Sequence, residues 1–329
     1  MRKRLSEIAS YEVLLCVFVV LIHVLSECVE KIPKGTVLSS VIFCLSRSMT
    51  FVVPAFIISS GIKFANKFKK SKLNYFSFIG RRILKIYIPY LLIAVVYYLY
   101  FVYRLRWFSF STAEMLEYIG IGTVVAPFYF IVIIMQFYIL APIWLSCYKN
   151  LTYAAGIFSA LFIAVVSGFL LKDVPHGDRV FTTYLMYWVI GCYIGGDFDF
   201  NINKLRDKKI IIIPLGVIFS VLYIAMAFNE FSGKSYGYLI EISKMLFSIF
   251  ASLSYLIIMP THEVGISKKL APLTYYVYLI HCLVIFETNH IMDDMGIKGL
   301  ILRLVIRIVA TYSISFLVAF LYRKIKKIR

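Results

Sequence analysis

The chain has 329 residues, 61% of them hydrophobic and only 16% charged, against roughly 45–50% and about 25% in ordinary soluble domains. That composition excludes a soluble enzyme. A formal charge of +18, from 35 Lys and Arg against 17 Asp and Glu, signals nucleic acid only where the cations form a stripe on a water-soluble fold; here they lie between apolar blocks, so no nucleic-acid partner is expected.

A bilayer core about 30 Å thick takes roughly 20 apolar residues per helix, which leaves room for about ten spans. Ten apolar stretches run over 8–27, 41–62, 83–103, 124–147, 153–171, 182–197, 210–228, 239–259, 271–290 and 300–322. Val13 to Val24 is almost unbroken, unlike the alternating, ten-residue strands of an outer-membrane barrel. The expected fold class is therefore an all-α polytopic membrane protein, one transmembrane domain over 1–329 in the cell membrane. The sixth stretch is the weakest, because Gly191, Gly195 and Gly196 thin a short segment; a tilted, broken or re-entrant piece fits it as well.

Orientation follows from the cations. With a cytoplasmic N-terminus, the inner segments hold Arg2, Lys3 and Arg4, eight cations from Lys63 through Lys85, then Lys149, four from Lys204 to Lys209, Lys268 and Lys269, and five from Arg323 on. These make 23 of the 35, against eight in outer segments, and the positive-inside bias puts both termini in the cytoplasm. Met-Arg-Lys-Arg before an apolar run resembles a signal peptide, but the run is too long and Glu27 to Lys34 lacks a small-residue cleavage site; it reads as the first span. No internal repeat is visible, which disfavours an inverted-repeat transporter.

Ionisable groups inside spans are costly and therefore candidates for function. His23 lies about 22 Å into the first helix at 1.5 Å per residue. A neutral imidazole there can take a proton from a hydroxyl, and an interfacial histidine bonded to a neighbouring helix is the competing reading. Glu12, eleven residues earlier, shares its face at about 16 Å; the pair lines a cavity, or Glu12 reaches the headgroups. Arg47 in the second helix lies about 9 Å below the outer surface. There it serves to hold an anion or a developing oxyanion, or else snorkels to the headgroups.

Arg81, Arg82 and Lys85 open the third helix, with Arg82 and Lys85 on one face. Such a cluster suits phosphates, Arg as a bidentate fork and Lys as a point charge, although positive-inside residues gather at helix ends anyway. Lys63, Lys67, Lys69, Lys70 and Lys72 meet anionic lipid. Tyr129 and Gln136 line the fourth helix, and His281, near mid-bilayer in the ninth, either lines the cavity or bonds across helices. Glu287, Arg303 and Arg307 suit an ion pair near the outer surface, where Asp173, His176, Asp178 and Arg179 form an ordinary polar loop. The six cysteines show no CxxC spacing and read as packing residues, with a Cys28–Cys44 disulfide left open by spacing alone. No HExxH or Cys/His pattern marks a metal site, and no Gly-rich phosphate loop is present.

The ordered set resembles the acyltransferase-3 family of integral-membrane O-acyltransferases. It comprises Val19-Val20-Leu21-Ile22-His23-Val24, then Arg47 with Val52-Val53-Pro54-Ala55-Phe56-Ile57-Ile58-Ser59-Ser60-Gly61, Arg81-Arg82-Ile83-Leu84-Lys85, Phe128-Tyr129-Phe130 and Tyr278-Leu279-Ile280-His281. The resemblance covers the whole chain and implies ten helices with both ends cytoplasmic. It also implies transfer of an acyl group, usually acetyl from cytosolic acetyl-CoA, to a hydroxyl of a surface or lipid-linked glycan, in capsule or wall assembly. His23 matches the family's essential histidine, and Arg82 with Lys85 matches its Arg-x-x-Arg phosphate clamp, Lys85 being a departure. Glu12 stands where the family has arginine. A polysaccharide or lipid-linked-sugar exporter or polymerase is the alternative reading.

Overall fold

The computed structural model describes residues 6–31, 35–69, 71–261 and 265–328; Arg2, Lys3, Arg4, Lys34, Lys70, His262 and Arg329 lie outside them. Among the described residues every regular element is helical. In chain order these are α1 (Ser6–Lys31), α2 (Val37–Ser48), α3 (Val52–Phe68), α4 (Tyr75–Arg82), α5 (Ile88–Leu99), α6 (Thr112–Ile121), α7 (Tyr129–Ile139) and α8 (Ala141–Asn150), then α9 (Tyr153–Leu171), α10 (Leu185–Gly196), α11 (Phe198–Asp207), α12 (Lys209–Phe231), α13 (Tyr238–Ile258), α14 (Gly265–Leu270), α15 (Thr274–Asp294) and α16 (Leu300–Ile328). The chain forms two compact units, one of Met1–Phe56 with Asn203–Arg329, the other of Ile57–Ile202.

Seven helical stretches are long and apolar enough to cross a bilayer, and α6 with α7, bent by 57°, makes an eighth if taken as one span. The multi-pass membrane character is plain, while three of the ten expected spans take other forms. The fourth is interrupted at Leu140, ahead of Pro142 in the first turn of α8. Proline supplies no N–H, and side chains bond carbonyls near the break, Trp144 Nε1 donating to Phe137 O at 2.8 Å and Tyr75 OH to Ile139 O at 3.0 Å. The sixth holds only the 12 residues of α10. The ninth, α15, has 21 residues, but His281, Glu287, Asn289 and His290 lower its apolarity.

In the first unit α1 is the central helix. Tyr11 OH donates to Ser252 O of α13 at 2.9 Å, Cys16 Sγ to Thr274 O of α15 at 3.6 Å, and Tyr312 OH of α16 to Val17 O at 2.7 Å. Cys16, Val20, Val24, Val277, Ile285 and Ala319 close the apolar core between α1, α15 and α16. At the N-terminal end of α1, Glu7 pairs with Arg206 at 3.8 Å, and Arg206 also bonds Ile257 O and Met259 O.

In the second unit α10 is buried almost throughout. It meets α3 through glycines: a Cβ on Gly191 would lie 2.2 Å from Ile58 O, one on Gly195 2.3 Å from Ile62 O, and one on Gly61 2.6 Å from Trp188 O. Small residues four apart let helix backbones approach in lipid. The weak hydropathy of this segment thus reflects burial in protein. Trp188 stacks on Phe137 of α7 at 4.7 Å.

Candidate functional site

Along α1, Cys16 and His23 are seven residues apart, and their partners on α15, Thr274 and His281, are seven apart as well. The two helices therefore run parallel in one register, which brings the His23 and His281 rings to 5.2 Å between centroids, tilted by 47°. His281 is fully buried and His23 half-buried. The Nδ1 of His281 lies 2.8 Å from Tyr278 O and 3.2 Å from Val277 O. Carbonyls only accept, so Nδ1 carries the hydrogen and Nε2 keeps the lone pair. Cys282 Sγ, 3.3 Å away, donates to that lone pair.

Ligand atoms of His23, His281 and Cys282 lie within 4.8 Å of one another, a grouping that the scattered histidines of the sequence conceal. Two imidazoles and a thiol are metal-ligand types; equally, they are a base, a lone pair and a weak donor facing one another in an apolar bundle. Among the described residues the His23 ring forms no hydrogen bond.

Glu12 and His23 share the unbroken α1, so their eleven-residue spacing holds at about 16 Å, and Glu12 is half-buried beside Tyr11. Arg47 is exposed, its guanidinium 4.9 Å from the Phe43 ring, and it makes no hydrogen bond or ion pair with either histidine. Arg303 pairs with Asp293 at 2.6 Å. Arg307 is fully buried and donates to Val24 O at 2.8 Å and Asn289 Oδ1 at 3.0 Å, tying α16 to the C-terminal halves of α1 and α15. Sequence reading missed this role, although Arg303, Arg307, Thr311 and Ser315, all buried, form a legible stripe four residues apart. Cys28 and Cys44 are not joined in a disulfide, which corrects the pairing left open above.

The basic cluster belongs to the second unit. Residues Ile83–Tyr87 form a π-helical turn where an α-helix is expected. Arg82 is half-buried, its guanidinium 4.4 Å from the Tyr138 ring and 5.2 Å from Phe78. Lys85 and Arg81 are exposed, and Arg81 bonds Ser77. Lys69 pairs with Asp197 at 3.1 Å. Gln136 accepts from Phe181 N at 3.1 Å and donates to Arg179 O at 2.8 Å, while Arg179 Nη1 reaches Ile121 O at 2.9 Å. Gln136 and Arg179 thus latch the 177–181 turn to α6 and α7.

A family model described as an acyltransferase domain matches residues 12–321, nearly the whole chain. Curated relatives include a Staphylococcus aureus (strain MSSA476) protein, 24% identical over 316 residues, covering 89% of this chain and 87% of the relative. A Staphylococcus epidermidis protein is 23% identical over 322 residues, covering 92% and 88%. Both carry the name "Probable poly-beta-1,6-N-acetyl-D-glucosamine export protein". No solved structure matches.

Proposed function

The chain belongs to the acyltransferase family, and from that premise we propose that it is a membrane O-acyltransferase moving an acyl group, acetyl in this reading, from cytosolic acyl-CoA to a hydroxyl of a surface or exported glycan. The observation that carries the proposal is His23, whose ring forms no hydrogen bond among the described residues and faces His281. The relatives' name supports a polysaccharide acceptor, with an N-acetylglucosamine polymer as the first to try.

In the proposed reaction a ring nitrogen of His23 takes the acceptor's hydroxyl proton as its oxygen attacks the thioester carbonyl. The carbon–sulfur bond breaks, CoA leaves as thiolate, and His23 returns the proton to that sulfur. Arg47 stabilises the oxyanion, while Arg81, Arg82 and Lys85 hold the CoA phosphates. Within the first unit, Glu12 and His281 are assigned to the cavity wall. An acyl-histidine intermediate is the covalent variant.

The test is the ester content of the glycan in cells fed labelled acetate. His23→Ala lowers it by about 10²-fold or more, the usual worth of a general base, with the amount of surface polymer unchanged. Undiminished esters with folded His23→Ala protein overturn the histidine's role. The relatives' name favours a second reading, export of the polymer; there, loss of the protein lowers surface polymer and leaves no ester difference.

A further inference from the structure

We propose that His281 is a positioning residue for His23, accepting its N–H and so fixing which His23 nitrogen is left bare to act as base. The inference rests on the acyl-transfer reading above and deepens it.

A histidine acting as base must present a lone pair on one nitrogen, and its other nitrogen then carries a hydrogen that needs an acceptor. In serine hydrolases a carboxylate fills that role, fixing tautomer and orientation without taking the proton. Here the neighbouring group is a second imidazole whose own tautomer is set by the backbone, because Tyr278 O and Val277 O hold the Nδ1 hydrogen. A ring nitrogen of His281 lies within 4.8 Å of a ring nitrogen of His23, and Nε2 is the His281 nitrogen that the backbone leaves with a lone pair. That separation closes through one bridging water or through the tightening that accompanies substrate binding.

Geometry also explains why a neutral partner is used. A carboxylate buried at this depth without a cation carries a large desolvation cost, whereas a neutral imidazole accepts a hydrogen bond with little penalty. As His23 takes the hydroxyl proton, its positive charge is spread through the bond to Nε2, and no net proton reaches His281. Cys282 competes for the same lone pair from 3.3 Å. Exchange of the thiol hydrogen for the His23 N–H is the step that readies the base.

Steady-state kinetics of the purified full chain in lipid vesicles, with acetyl-CoA and a soluble β-linked N-acetylglucosamine oligomer, test the inference. His281→Ala is expected to lower kcat by about 10²-fold with KM for both substrates unchanged. His281→Gln is expected to recover much of that loss, because its amide oxygen accepts an N–H. Cys282→Ala is expected to raise kcat, since it removes the competitor for the Nε2 lone pair. Equal kcat in His281→Ala and wild type overturns the proposal, as does a matching fall in His281→Ala and His281→Gln with raised KM, or a fall in Cys282→Ala as deep as in His281→Ala. Retained CoA binding by each variant identifies folded protein. Wild-type protein that transfers no acyl group overturns the function itself, whereas transfer that needs His23 and ignores His281 overturns the positioning role alone.

Discussion

At the scale of single residues, the cations of the second unit differ in ways that composition does not reveal. Arg82 is held against Tyr138 and Phe78, and stacking a guanidinium on aromatic faces fixes its direction while leaving N–H groups for a phosphate. Lys85 is exposed and offers only a mobile point charge. A phosphate contact remote from the reacting carbon is made equally in ground and transition states, so its loss raises KM and spares kcat. Arg82→Ala is accordingly expected to raise KM for acyl-CoA by roughly tenfold, about 1.4 kcal/mol, and Lys85→Ala by less, both at unchanged kcat. Initial rates against acyl-CoA concentration check this. Equal effects from the two would remove the distinction drawn from stacking.

At the scale of elements, α10 and α3 show what hydropathy reads and what it cannot. Long apolar helices such as α1, α9 and α12 are legible because lipid demands continuous apolar residues with every backbone group bonded internally. A helix enclosed by protein is under no such demand, so Gly191 and Gly195 weakened the signal at the place where they do their packing. Gly191→Leu is expected to destabilise the second unit by more than the 1–3 kcal/mol typical of overpacking, because the clash is with the Ile58 carbonyl rather than a flexible side chain. Gly168→Leu, on α9 with nothing near its missing Cβ, is expected to be neutral. Thermal unfolding in detergent separates them, and equal losses would contradict the close approach. The His23–His281 meeting was likewise hidden: each histidine is legible alone, but the parallel register of α1 and α15 lies in tertiary packing. The π turn at Ile83–Tyr87 was missed because periodicity arguments assume 3.6 residues per turn.

For the whole molecule the open quantity is the number of crossings, which decides where the termini lie. An even number returns the chain to its starting side, and 23 inner cations against eight outer ones call for both ends in the cytoplasm. Seven helices by composition, with the bent α6–α7 pair as an eighth, leave α15 and α10 to be decided together. Paired residues on α1 and α15 keep one register, and α16 returns along α15 with Arg303 beside Asp293 and Arg307 beside Asn289, so α15 runs alongside two crossing helices. Within the second unit, Tyr193 OH bonds Thr152 O ahead of α9, at 2.9 Å, while Gly177 packs on Leu171 at the other end of that helix. The chain between 177 and 193 therefore retraces the length of α9 despite the shortness of α10. We propose that both segments cross as well, which makes ten. Reporter fusions after residues 172, 198, 295 and 328 are expected to read outside, inside, outside and inside. An external reporter signal at 198 would remove α10 from the count, and one at 328 would refute the charge-based orientation of the C-terminus.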